Sequence, residues 1–106
     1  MAKYLVQGTY TAEGSKGVMK DGGTGRKKAI EAAVKSVGGK LDSMYFCIGD
    51  IDVMLIIDVP DTESAVAVGV AASAAGSART KTTQLLTAEE MDAACKKTVK
   101  YRAPGA

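Results

Sequence analysis

The sequence predicts an α+β fold, an antiparallel four-stranded sheet with helices on one face, on three observations. Alternating or short apolar runs mark four strand segments. Apolar residues spaced by three and four mark helical segments. Turn and capping residues separate the segments into the order strand, helix, strand, strand, helix, strand, with a further helix behind. At 106 residues the chain has the length of one domain. Residues 1–102 are expected to form that domain and 103–106 a disordered tail.

The first strand is expected at Lys3–Thr11, where Tyr4, Val6, Gly8 and Tyr10 share one side and Leu5, Gln7 and Thr9 the other. Five glycines between Glu13 and Gly25 then predict a long loop. A helix is expected at Arg26–Val37, with Ile30, Ala33, Val34 and Val37 on one face and Gly38–Gly39 closing it. Strands follow at Lys40–Ile48 and Asp52–Val59, joined by a turn at Gly49–Asp50. Pro60 stops the third strand, and Asp61 or Thr62 caps a helix running to Ala75. Gly76 ends that helix, and Ala78–Leu86 is the fourth strand. Thr87 with Glu90 forms a capping-box pattern. It opens a C-terminal helix expected over about 88–102, with Met91, Ala94, Cys95 and Thr98 on one face. Lys96, Lys97, Lys100 and Arg102 crowd its far end, where cations suit the helix dipole. This is the ferredoxin-like βαββαβ order with an added helix.

Composition narrows the function. Hydrophobic residues make up 46% and charged residues 25%, a globular balance. A net charge of +2 and only five aromatic residues (four Tyr, one Phe) give neither the basic footprint nor the stacking surface of a nucleic-acid binder. The chain has no histidine. A Ser–His–Asp or Cys–His catalytic set is therefore impossible within it, haem loses its usual axial ligand, and no metal or cofactor is expected. The two cysteines, Cys47 and Cys95, fit no CxxC pattern and read as small buried apolar residues. No secretory signal and no membrane-length apolar run is visible, and the expected location is cytoplasmic.

The third strand, DVMLIIDVP, is apolar on both faces: Val53, Leu55, Ile57 and Val59 on one, Met54 and Ile56 on the other. An antiparallel strand with one face in water should alternate apolar and polar. The expected remedy is a homo-oligomer, a dimer first, formed sheet against sheet. The competing arrangement folds the C-terminal helix back across that face.

The segment GGKLDSMYFCIGDIDVMLIIDVPDTESA, followed by GSARTKTTQLLTAEE, resembles the GYD domain family, as does the opening YLVQGTYTAEGSKGVMKD with Arg26. The resemblance runs over about 3–91. Its most specific features are Gly38–Gly39–Lys40 with Leu41, the turn at 49–52, Pro60–Asp61, and Gly76 with Arg79–Thr80. The turn reads Gly49–Asp50–Ile51–Asp52, without the family's usual tyrosine. The resemblance implies a ferredoxin-like fold of the dimeric α/β-barrel type and names no reaction. Relatives of that barrel fold include small monooxygenases, isomerases and ligand-binding regulatory domains.

Three groups of residues are candidates for chemistry. MKDGGTGRKK, residues 19–28, lacks the Gly-Lys-Ser/Thr ending of a phosphate-binding P-loop. Gly25, Arg26 and Lys27 remain an anion-binding candidate if they open a helix, against the plain alternative of a solvated basic turn. Asp50 and Asp52 read first as turn residues. Asp58 interrupts an apolar strand and needs a cationic partner, Arg79 or a lysine on a neighbouring strand. Tyr4, Tyr10, Tyr45, Lys20, Arg26 and Arg79, with Asp58, are the candidate pocket groups, because tyrosine donates and arginine grips carboxylates. Ordinary packing explains the same tyrosines. The expected function is an oligomeric accessory or ligand-binding protein. The alternatives are a cofactor-free monooxygenase or isomerase and a nucleotide- or anion-sensing oligomer.

Overall fold

The computed structural model describes residues 1–106. Four strands, β1 (Ala2–Tyr10), β2 (Lys40–Phe46), β3 (Val53–Val59) and β4 (Ala78–Leu85), form one sheet in the order β2-β3-β1-β4. Every neighbouring pair is antiparallel. The helices are α1 (Ala12–Ser36), α2 (Thr62–Ala74) and α3 (Ala88–Cys95). The expected α+β, ferredoxin-like arrangement is therefore present, with its additional helix.

Registry decides which side chains meet. Val6 stands opposite Leu55, Tyr4 opposite Ile57, and Gly8 opposite Val53. Because successive side chains point to opposite faces, these residues share the face covered by helices. Tyr4, Val6, Val53, Leu55, Ile57 and Val59 are buried there, with Val34 from α1 and Ala65 from α2. Ile30 and Val37 pack against the edge of this core, as their helical spacing predicts. The opposite face carries Leu5, Met54 and Ile56, all half-buried, among Gln7, Tyr45 and Lys81. Only 12 of 106 residues are buried, so the single chain builds a small core.

The stretch expected to be a loop at Glu13–Gly25 is helical and belongs to α1. Thr11 caps its start by accepting the Gly14 N–H at 3.1 Å while its own hydroxyl donates to the Gly76 carbonyl. Gly14 is needed for contact: a Cβ there would lie 1.9 Å from the Ser77 carbonyl oxygen. Gly22, at φ 74° and ψ 169°, does break the helix, splitting α1 into two segments. That conformation is open to glycine and rare for other residues. Glycine count thus signalled two different things, close approach at one position and a break at another.

Helix α2 begins at Asp61, whose carboxylate accepts from both the backbone N–H and the hydroxyl of Ser64, at 2.8 and 2.6 Å. Those two bonds hold the Asp61 carboxyl below its usual range. Helix α3 opens on the expected capping box, with Thr87 and Glu90 exchanging bonds at 3.0 Å. It ends at Cys95 rather than near residue 102. The β-branched pair Thr98–Val99 disfavours continuation, and no residue of α3 is buried to offset the cost. Pro104 and Gly105 form a turn in the tail, where the Ala106 N–H donates to the Ala103 carbonyl. Residues 86–106 are exposed throughout, so α3 does not fold back over the sheet. The radius of gyration is 16.9 Å, against ~13 Å for a compact chain of this length.

Ile57 is fully buried, so Ile57→Ala should cost about 2–5 kcal/mol in chemical denaturation. Gly14→Ala should destabilise by about 1–3 kcal/mol, because the added methyl meets backbone that cannot move aside alone. The Asp61 cap contributes stability above the ordinary carboxylate range and loses it as pH falls through the lowered folded-state value. Asp61→Ala should therefore flatten the acid limb of the stability–pH curve, measured as melting temperature.

Candidate functional site: a cavity between the helices and the sheet

The helix-covered face of the sheet is not filled. A cavity of about 400 Å³ lies between the two α1 segments, α2 and the inner face of the sheet. Its floor is Val6, Gly8, Val53 and Leu55, and its walls include Ile30 and Ala33 from α1 and Val68 and Ala72 from α2. It exists because small side chains meet where large ones would close it. Gly8 lies on the floor, and Gly69, Ala71, Ala72 and Ala75 line the α2 wall. A Cβ on Gly69 would sit 2.9 Å from the Thr80 hydroxyl, so α2 lies close on β4. Volume and apolar lining match sites that take small molecules.

The polar groups gather at one end. Tyr10, Glu13, Arg26, Ser77 and Thr80 line the cavity there. Arg26, just past the Gly22 break, is partly covered, its side chain 26% exposed, and its Nη1 is 3.6 Å from the Asp21 carboxylate. That distance is longer than a hydrogen bond and leaves most of the guanidinium's donors free. Burial raises the Tyr10 phenol above its ordinary value, Arg26 nearby opposes the rise, and Asp52 adds to it. Asp52 also anchors this strand end, its Oδ2 accepting the Tyr10 backbone N–H at 2.9 Å. Near neutral pH, Tyr10 and Arg26 both present donors to the cavity. Glu13 is the one carboxylate in the lining; its side chain is 80% exposed and lies 3.7 Å from Lys16.

Of the candidate pocket residues, Tyr10 and Arg26 reach the cavity. Tyr4 is buried in the core, its hydroxyl 3.1 Å from the Thr62 hydroxyl. Lys20 is exposed on α1, and Tyr45 and Arg79 are exposed on the far side of the sheet. Asp58 also faces that side. Its partner is Lys3, at 3.4 Å, not Arg79. Arg79 stands opposite Thr9, six positions along β1 from Lys3 and therefore ~20 Å away. Asp42, pushed out by a register shift in β2, also pairs with Lys3. Asp42 and Asp58 raise the Lys3 amine above its ordinary value. One Asp58 oxygen, Oδ1, is buried without a partner. Gly25, Arg26 and Lys27 lie at the start of the second α1 segment, just past the break at Gly22, with Lys27 exposed. Arg26 thus turns from that basic turn into the cavity. Cys47 is half-buried and Cys95 exposed, contrary to the expectation that both are buried, and neither forms a disulfide. No three His, Cys, Asp or Glu side chains stand together as a metal-binding group, and no helix is long and apolar enough to cross a membrane.

The GYD domain family model matches residues 4–95. The chain belongs to the GYD domain family. The match runs from Tyr4 in β1 to the end of α3 and takes in all the cavity-lining residues. No curated protein and no solved structure matches the chain. As a GYD domain, the protein carries Tyr10, Glu13 and Arg26 on the first strand and first helix, upstream of the 49–52 turn, and Ser77 and Thr80 downstream of it.

The Tyr10 phenol should ionise at higher pH than a free tyrosine, read as the ultraviolet difference between wild type and Tyr10→Phe during alkaline titration. Arg26→Gln removes the cation that opposes the shift and should move that titration to still higher pH.

Proposed function

We propose that this protein is a small-molecule-binding, self-associating accessory protein. The single observation that carries the reading is the apolar cavity of about 400 Å³ with Tyr10 and Arg26 at one end. The ligand that fits has an apolar body and a hydrogen-bond-accepting head group, a carboxylate above all. A carboxylate accepts from Arg26 in two places and from the Tyr10 hydroxyl, taking over from the loosely held Asp21. An enzymatic reading needs a held general base beside the bound molecule. Glu13, at the mouth and largely in water, does not offer one.

Self-association is proposed through the open sheet face. Leu5, Met54 and Ile56 lie side by side there, and the small core of the single chain supports a further apolar contact. A cytoplasmic, dimeric protein is the form this reading favours.

Calorimetric titration with decanoate and decanol tests the cavity. Both should bind, decanoate more tightly, and Arg26→Gln should weaken decanoate about tenfold or more while leaving decanol unchanged. If neither binds, the cavity is not a ligand site. For the assembly, Ile56→Lys should raise the dimer dissociation constant about thirtyfold or more in sedimentation equilibrium. A monomeric wild type would remove the sheet-paired dimer.

A further inference from the structure

Residues 86–106 form an arm that no part of its own chain covers. Every residue in it is exposed, including Leu86, Met91, Val99 and Tyr101, the last two at 75%. The arm leaves β4 at the end of the sheet where β1 begins, since Leu85 stands opposite Lys3. At the other end of the sheet, the β2–β3 hairpin exposes Tyr45, Phe46 and Ile48, the last fully in solvent. These are two unpartnered apolar patches at opposite ends of one molecule, separated by a strand length of ~20 Å or more.

Their charges are complementary. The hairpin tip carries two carboxylates, Asp50 and Asp52, and the sequence contains no lysine or arginine between Leu41 and Ala78; Asp42 and Asp58 lie at the opposite end of the sheet, where Lys3 pairs with both. The end of the arm, KKTVKYR at 96–102, places Lys96, Lys97, Lys100 and Arg102 around Val99 and Tyr101. Arg102 donates to the Ala106 carbonyl, and no carboxylate side chain lies within ion-pair distance of any of the four. The hairpin tip offers Asp50, exposed beside Ile48 and without a cation.

We infer that the arm is a clasp between two copies of this chain: the 96–102 segment of each protomer seats on the β2–β3 hairpin tip of the other. The inference rests on the sheet-paired dimer proposed above and adds to it. When two sheets pack face to face about a two-fold axis lying across the strands, strand directions reverse. The arm end of each protomer then stands over the hairpin end of its partner, and both contacts form at once, as an isologous interface requires. Within one chain, the capping box fixes α3 at the start of the arm and the helix leads away from the sheet, giving the long axis of 57 Å. Val99 and Tyr101 would supply the apolar contact with Tyr45 and Ile48, and the cations flanking them would meet Asp50.

The test uses the full chain. Tyr101→Asp and Ile48→Lys alter side chains already in water, so folding is preserved. Each should raise the dimer dissociation constant tenfold or more in sedimentation equilibrium. Raising the salt concentration should weaken the wild-type dimer in the same direction. In a Cys47→Ser background, Cys95 is coupled to a benzophenone maleimide, and isotopically heavy and light chains are mixed before irradiation. Cross-links joining Cys95 of one copy to the 45–52 segment of the other are expected. A dimer whose dissociation constant ignores both substitutions, or cross-links confined to one copy, overturns the clasp and leaves the sheet pairing standing. A wild-type monomer overturns both.

Discussion

The rest of the structure depends on the placement of β1, hydrogen-bonded to β3 on one side and β4 on the other. That central position brings Tyr4, Val6 and Gly8 against Ile57, Leu55 and Val53, and with α1 and α2 above them it fixes the core. The same strand sets where the core stops. Tyr4 and Val6 are large enough to be packed against; Gly8 is not, and beyond it the helices span a gap. Stability and cavity therefore lie in succession along one strand. A side chain at position 8 would extend the first at the expense of the second: its Cβ would already stand 3.0 Å from Val53.

The second constraint is the docking of α1. Thr11 and Gly14 tie the helix start to Gly76 and Ser77, at the end of α2. The second segment is held separately, by Val34 in the core. Between them α1 spans the cavity, and Arg26 turns inward as part of that span. Tyr10 and Arg26 thus reach the polar end of the site from two adjacent elements, β1 and α1, with Ser77 and Thr80 beside them from much later in the chain.

Much of this was legible in the sequence. Period-two alternation gave β1, the two-faced apolar run gave β3, and Pro60–Asp61 and Thr87–Glu90 marked two helix starts through side-chain bonds that the structure contains. Such signals are local, so a local reading finds them. The first half of α1 was hidden because its glycines resemble loop residues until Ser77 is in view. The cavity was hidden for a related reason. Tyrosine and arginine were the right residue types, but the absence of bulk at Gly8, Gly69 and the α2 alanines decides which of them line open space. The partner of Asp58 was foreseen as a basic residue on a neighbouring strand; only the register shows it to be Lys3.

The break at Gly22 separates α1 into two pieces with unequal holds on the molecule. The later piece carries Val34, fully buried; the earlier piece buries only Gly14. Opening the earlier piece therefore needs far less free energy than global unfolding, and it forms its own unit of local stability. Since that piece is also one wall of the cavity, the residence time of a molecule bound as proposed would be tied to how often a glycine-jointed flap lifts and not to the depth of the pocket alone. Its exchange would then be a property of a hinge, open to change without altering a single atom that touches the guest.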